Sequence, residues 1–247
     1  MLGRVHSIDT FSALDGPGIR MVIFMQGCCL RCKYCHNPDT WSRENTDSQE
    51  FSPEELMDII NRGRPYFEAS GGGVTFSGGE PLLQHRFIRE IFICCRETGI
   101  STAFDSSLYV STRMVENLLE YTDLVLADIK QMNPGRSLEL VGADNELNLA
   151  NIALINDYQV PIWIRYVVVP GWTDSVDEVK AMAGFIASLA WVQRVDLLPY
   201  HALGRHKWAI LGMEYELGDL HPPPPEKMAQ LKDLIRAYSG KPVIVHE

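Results

Sequence analysis

Gly27-Cys28-Cys29-Leu30-Arg31-Cys32-Lys33-Tyr34-Cys35-His36-Asn37 is the stretch on which the reading of this chain turns. Within it Cys28, Cys32 and Cys35 form a Cys-x-x-x-Cys-x-x-Cys array, which sets three thiol ligands on one short loop. Thiolate sulfur is a soft donor that favours zinc, copper(I) and iron-sulfur clusters. A closed structural zinc site wants four protein ligands, and no second Cys-x-x-Cys pair follows in the chain. Three thiolates on a four-iron cluster leave one iron without a protein ligand, whereas ferredoxin-type clusters use four cysteines. Such an open iron is a place for a substrate to bind. Cys29-x-x-Cys32 offers a competing ligand pair; Cys29 otherwise reads as a small apolar neighbour, since free cysteine behaves as a buried hydrophobe.

Working outward, residues 20–26 (Arg-Met-Val-Ile-Phe-Met-Gln) form an apolar run of strand length that ends at Gly27, so the cysteine loop hangs from the C-terminal end of a strand. Residues 37–50 are polar and read as a loop. Ser52-Pro53-Glu54-Glu55 then combines an N-cap serine, a proline at the first helical position and the glutamate of a capping box, predicting a helix to about Tyr66. Val74-Thr75-Phe76 predicts a short strand entering the turn Ser77-Gly78-Gly79-Glu80-Pro81. Glycines there let the backbone approach a ligand closely. Residues 82–98 carry Leu83, Phe87, Ile91 and Cys94 at helical spacing, with Cys94 and Cys95 read as packing residues.

Further strands are predicted at 101–105, 124–128, 161–169 and 194–198, with helices at 146–158 and about 176–189, and a final edge strand at 242–245. Alternating strand-helix units call for a parallel sheet with right-handed crossovers, and six units are too few to close an eight-stranded barrel. The polar residues Glu80, Asp105, Asp128, Lys130 and His201 all fall at C-terminal strand ends, the face on which parallel α/β proteins bind ligands. Arg165 interrupts an apolar strand, where a charge needs a partner. Pro222 to Pro225 reads as a stiff connector.

The chain has 247 residues, enough for one large core, and is expected to form a single domain over 1–247. Its formal net charge of -10 argues against nucleic acid or an anionic membrane as the main partner. Arg205-His206-Lys207 is too short a basic run to change that. The first residues read as neither signal nor transit peptide. With three of the six cysteines in the array, no disulfide framework remains, and a cytoplasmic location is expected.

The array with Tyr34 before its last cysteine, Asp15-Gly16-Pro17-Gly18-Ile19-Arg20 upstream and Cys35-His36-Asn37 downstream resembles the radical S-adenosylmethionine (SAM) enzymes, and among them the activases of glycyl radical enzymes. The family spacing favours Cys28 over Cys29. The resemblance implies a partial, open (β/α)6 barrel with N- and C-terminal extensions. It implies a 4Fe-4S cluster on Cys28, Cys32 and Cys35, with Tyr34, His36 and Asn37 shielding it. SAM would be held by Ser77, Gly78, Gly79 and Glu80 at its methionine end, with Asp105, Lys130, Arg165, Val167 and His201 around the rest. A monovalent cation, sodium or potassium, would sit at Asp105, Ser106 and Asp128, although Ser106-Ser107-Leu108 stands where many relatives carry a glycine. Reductive cleavage of SAM would give a 5′-deoxyadenosyl radical that takes the α-hydrogen of a partner's glycine, with Asp15 meeting the partner segment.

Leu203 to Trp208 and the stretch after Pro222 resemble activases that act on pyruvate formate-lyase, the expected partner; flavodoxin or ferredoxin would deliver the electron to a monomer. One alternative is the activase of another glycyl radical enzyme; many of those insert further cysteine clusters after the first motif, and 37–50 has no cysteine. Another is a non-catalytic iron-sulfur electron carrier, which would not need the glycine turn or the acidic strand ends. A zinc-stabilised interaction module is a third.

Overall fold

A computed structural model describes residues 1–43 and 48–246. Residues 44–47, part of the loop expected over 37–50, lie outside the described residues. The chain divides into two compact units, residues 1–29 with 40–126 and residues 30–39 with 127–247.

The first unit is built on a sheet of strand order β3-β1-β2-β4-β5. β1 (Gly3–Ser12) runs antiparallel to β2 (Arg20–Met25) and to the short β3 (Gln49–Phe51). β2, β4 (Gly73–Gly78) and β5 (Ser101–Ser106) are parallel. All three carry the predicted apolar runs, and Val22, Ile23, Phe76 and Phe104 are fully buried.

β1 and β3 were not legible. Between its ends β1 exposes Arg4, Ser7, Asp9, Thr10 and Phe11, which breaks the period-two pattern by which a strand is recognised.

The capping box stands as expected: Ser52 Oγ accepts from Glu55 N (3.2 Å) and Ser52 N donates to Glu55 Oε2 (2.8 Å). The helix it starts is shorter than expected, α1 (Pro53–Arg62), and a second helix, α2 (Arg64–Ser70), follows. Pro65 has no N–H to continue the first helix and takes an early position in the second. A 3₁₀ turn at Pro81–Gln84 precedes α3 (His85–Glu97), and α4 (Thr112–Leu119) is a further short helix. Phe92 of α3 meets Phe76 of β4 edge-on, centroids 5.6 Å apart.

β6 (Leu124–Asp128) carries the chain into the second unit, where β7 (Ile162–Val168), β8 (Val192–Pro199) and β9 (Val243–Val245) are parallel neighbours. Its helices are α5 (Pro134–Val141), α6 (Glu146–Asp157), α7 (Val176–Ala187), α8 (Arg205–Ile210) and α9 (Pro225–Ser239). α7 packs on α9, burying Val179, Met182, Leu231 and Ile235. The proline run leads directly into α9, with Pro225 at its first turn. Arg205-His206-Lys207 opens α8. Among the described residues no helix is long and apolar enough to cross a membrane.

Candidate active site

In the first unit, the end of β2 and the end of β4 are fastened together. Gly27, at φ +104, donates its N–H to the Thr40 carbonyl (2.7 Å), and Cys28 N donates to Trp41 O (3.2 Å). Glu80 N donates to the Gly27 carbonyl (2.8 Å). A Cβ on Gly79 would overlap that carbonyl oxygen and come within 3.1 Å of Cys28 Cβ. The Ser77–Glu80 turn and the first cysteine, linked only by pattern in the sequence, are therefore packed backbone to backbone, and glycine is required at 79 for that reason.

The Glu80 side chain has a different role from its backbone. It is fully buried, and its carboxylate accepts from Ser106 Oγ (2.7 Å), Leu82 N (3.2 Å), Ser107 N (3.0 Å) and Ser107 Oγ (2.5 Å). Burial raises its pKa above the usual carboxylate range, and these four hydrogen bonds pull the other way. Ser77 Oγ donates to Asp105 Oδ2 (2.9 Å). Leu108 holds the left-handed conformation at φ +56, with its N–H donated to Ser106 Oγ (2.8 Å) and its side chain fully buried.

In the second unit, Arg31 N donates to Val141 O (2.9 Å) and Lys33 N to Leu140 O (3.0 Å), so the C-terminal end of α5 pins the cysteine loop. Cys35 N closes a turn onto Cys32 O (3.0 Å). Cys32 and Tyr34 are buried, and the Tyr34 hydroxyl has no hydrogen-bond partner among the described residues. Burial pushes the Cys32 thiol up to about 12, with Lys130 nearby acting in the opposite sense. Lys130 Nζ pairs with Asp128 Oδ2 at 2.8 Å and lies 5.8 Å from the Tyr34 ring centroid.

His36 and His201, both predicted, are brought together: their rings stack 4.2 Å apart, and His36 Nε2 lies 2.9 Å from the His201 carbonyl. Burial lowers the pKa of both. The segment that follows His201 holds the same loop. Lys207 Nζ donates to Asn37 Oδ1 (2.9 Å) and pairs with Asp39 (3.0 Å), and the Trp208 indole donates to the Cys35 carbonyl (2.9 Å). Tyr215 meets Trp208 edge-on, and its hydroxyl lies 2.9 Å from that of Tyr200. Neither Trp208 nor Lys207 was expected to hold this loop. The signal was present only as the likeness of 203–208 to a family segment, because a backbone carbonyl acceptor leaves no trace in sequence.

Other expected residues fall elsewhere. Cys29 is not a buried neighbour of the array; it is exposed, with its thiol directed at the Tyr109 carbonyl (3.3 Å). Cys95 is buried beside Met57, consistent with packing. Arg165 and Val167 lie on β7 in register with Asp196 and Leu198 of β8. Asp15 precedes the N-terminal end of β2, whereas the cysteine loop follows its C-terminal end. Cys28 and Asp105 belong to the first unit, Cys32, Cys35 and Asp128 to the second. Among the described residues no group of three or more His, Cys, Asp or Glu side chains is gathered as a ready metal site.

Residues 22–186 match the model of the radical SAM superfamily. The chain is 42% identical over 243 residues to the pyruvate formate-lyase 1-activating enzyme of Escherichia coli (strain K12), covering 98% of each chain. It is 43% identical over 230 residues to the pyruvate formate-lyase-activating enzyme of Staphylococcus aureus (strain USA300), covering 91% of each. A crystal structure of a domain of pyruvate-formate lyase-activating enzyme from Bacteroides vulgatus matches with a TM-score of 0.60 at 29% identity, covering 71% of this chain and 99% of that one. The chain thus belongs to the radical SAM superfamily, and within it to the pyruvate formate-lyase activating enzymes.

Proposed function

We propose that this protein cleaves SAM reductively at a 4Fe-4S cluster and removes the α-hydrogen of a glycine in pyruvate formate-lyase, leaving a glycyl radical on that partner. The observation that carries this reading is the packing of Gly79 on Cys28, which joins the turn that would take the methionine end of SAM to the loop that would hold the cluster. A simple electron carrier has no use for that junction.

The residues fit such a group. Cys28, Cys32 and Cys35 carry sulfur of the soft type that iron-sulfur clusters take, and the buried Tyr34 hydroxyl has an unused polar atom to offer. When bound, the cluster and SAM supply a one-electron cleavage of the sulfonium and a carbon radical able to take hydrogen. The protein's own residues hold and orient. Tyr34, the His36–His201 stack and Trp208 cover the cysteine loop, keep water from it and set its hydrogen bonds. Ser77, Gly78, Gly79 and Glu80 take the methionine end of SAM, mainly through backbone groups because the Glu80 carboxylate is already engaged. Asp105, Lys130, Arg165, Val167 and His201 are assigned to SAM residue by residue from the motifs they match.

The monovalent cation would sit at Asp105, Ser106 and Asp128; the Ser106 hydroxyl donates to Glu80 and Asp128 pairs with Lys130. Asp15 meets the partner's glycine-bearing segment. Flavodoxin or ferredoxin supplies the electron, the enzyme acts as a monomer of one domain, and a cysteine array of this kind suits a reducing cytoplasm. Anaerobic reconstitution followed by chemical reduction in the presence of SAM tests the assignment: release of methionine and 5′-deoxyadenosine supports it, and a fully loaded, reduced protein that leaves SAM intact refutes it.

A further inference from the structure

Arg20 closes the Asp15–Arg20 segment and opens β2, and it is completely buried. A guanidinium carries five N–H donors and no acceptor. Arg20 Nε donates to Thr75 Oγ1 (2.6 Å), and Nη2 donates to Val74 O (2.6 Å) and Ser101 O (3.2 Å), while Nη1 has no hydrogen-bond partner among the described residues. The strand beside it is close as well: a Cβ on Gly73, the register partner of Arg20, would overlap the Ser101 carbonyl oxygen that Arg20 Nη2 also meets.

Thr75 passes the contact on. Its hydroxyl lies 2.7 Å from the Asp15 carbonyl. Arginine can only donate and a carbonyl can only accept, so the single hydroxyl proton must go to Asp15. The next residue rests on the same side chain: a Cβ on Gly16 would stand 2.6 Å from Arg20 Cδ. Ser12 Oγ donates to Asp15 Oδ2 (2.6 Å) and orients the carboxylate. Phe11 and Leu14 beside it are exposed, so the turn is at the surface and its support lies beneath.

Burying a charged group with an unfilled donor is costly, and an apolar residue of similar volume would hold the core at least as well. We propose that Arg20 and Thr75 are positioning residues, which fix the Asp15-Gly16 turn in the conformation that receives the partner's segment. This rests on the assignment of Asp15 to the partner. β2 separates this turn from the cysteine loop by six residues, about 20 Å at the rise of a strand. The pair therefore acts on capture of the partner and not on SAM cleavage.

The test is binding of anaerobic, SAM-loaded holoenzyme to immobilised pyruvate formate-lyase, with partner-independent SAM cleavage and the melting temperature measured alongside. Thr75→Val should weaken binding roughly tenfold, the equivalent of one hydrogen bond, with SAM cleavage unchanged, and Thr75→Ser should restore it. Arg20→Lys, which keeps the charge but loses the fork, should weaken binding likewise and gives the answer if Thr75→Val does not fold. Thr75→Ser as weak as Thr75→Val would overturn the relay, as would normal binding by Thr75→Val and Arg20→Lys while Asp15→Ala binds poorly. Normal binding by Asp15→Ala would instead remove the assignment of Asp15 on which the proposal stands.

Discussion

Ser107 donates both its backbone N–H and its hydroxyl to one oxygen of the buried Glu80 carboxylate, while Ser106 Oγ and Leu82 N fill the other. Each oxygen thus faces one backbone N–H. In Glu80→Gln, either orientation of the amide points an NH₂ group at Leu82 N–H or Ser107 N–H. The expected loss is about 2 kcal/mol, seen as a lower urea midpoint, with Ser106→Ala losing less.

The same carboxyl makes a pH prediction. Its folded pKa is raised, so the native state holds the proton more tightly than the unfolded chain, whose glutamate titrates at about 4.3. The contribution of Glu80 is then fully present below the unfolded value and declines as pH rises through the folded one. The stability gap between wild type and Glu80→Gln should narrow across that window. A gap that widens with pH would show the four donors outweighing burial.

Leu108 tests two opposed effects at one position. Left-handed backbone costs a leucine about 1–2 kcal/mol, while emptying its buried site costs about 2–5 kcal/mol. Leu108→Gly should therefore be destabilised by about 1–3 kcal/mol in net terms, despite its better backbone, as read by thermal or urea unfolding.

Gly204 lies against the cysteine loop, and a Cβ there would stand 2.6 Å from His36 Cα. Gly204→Ala should push the 201–208 segment off the loop, and Trp208→Phe should cut its hydrogen bond to Cys35. Both should lower the iron retained per chain after brief exposure to air, Gly204→Ala the more, with SAM-free protein stability changed by only about 1 kcal/mol in Trp208→Phe.

The competing ligand pair in the sequence is resolved by substitution. Cys28→Ala, Cys32→Ala and Cys35→Ala should each abolish four-iron loading, counted as iron and sulfide after anaerobic reconstitution. Cys29→Ala should load normally, because its exposed thiol is turned to Tyr109. Loss of loading in Cys29→Ala with retention in Cys28→Ala would reverse the assignment.

Much of this was legible in the residues. Seven strands were legible because each is a short run rich in apolar residues bounded by turn signals, and the capping box at Ser52 and Glu55 fixed a helix start to the residue. β1 was hidden because most of its side chains face solvent. The break at Gly63 was hidden because a capped helix can run through one glycine, and Pro65 just beyond it takes an early position in the second helix. In the site, residue types that carry chemistry were visible, but their supports were not. The bond from Trp208 to Cys35 and the hold of α5 on Arg31 and Lys33 end on carbonyls, which every residue has. Gly72 and Gly73 carried no such signal, and the need for glycine there comes from backbone alone: a Cβ would overlap the Ile19 carbonyl at 72 and the Ser101 carbonyl at 73.

The reaction ends in a radical on the partner. Reduced, cluster-loaded protein mixed anaerobically with SAM and pyruvate formate-lyase should give the glycyl radical doublet by electron paramagnetic resonance, and Cys32→Ala should give none. SAM cleavage by the loaded enzyme with no doublet on pyruvate formate-lyase would exclude that protein as its substrate.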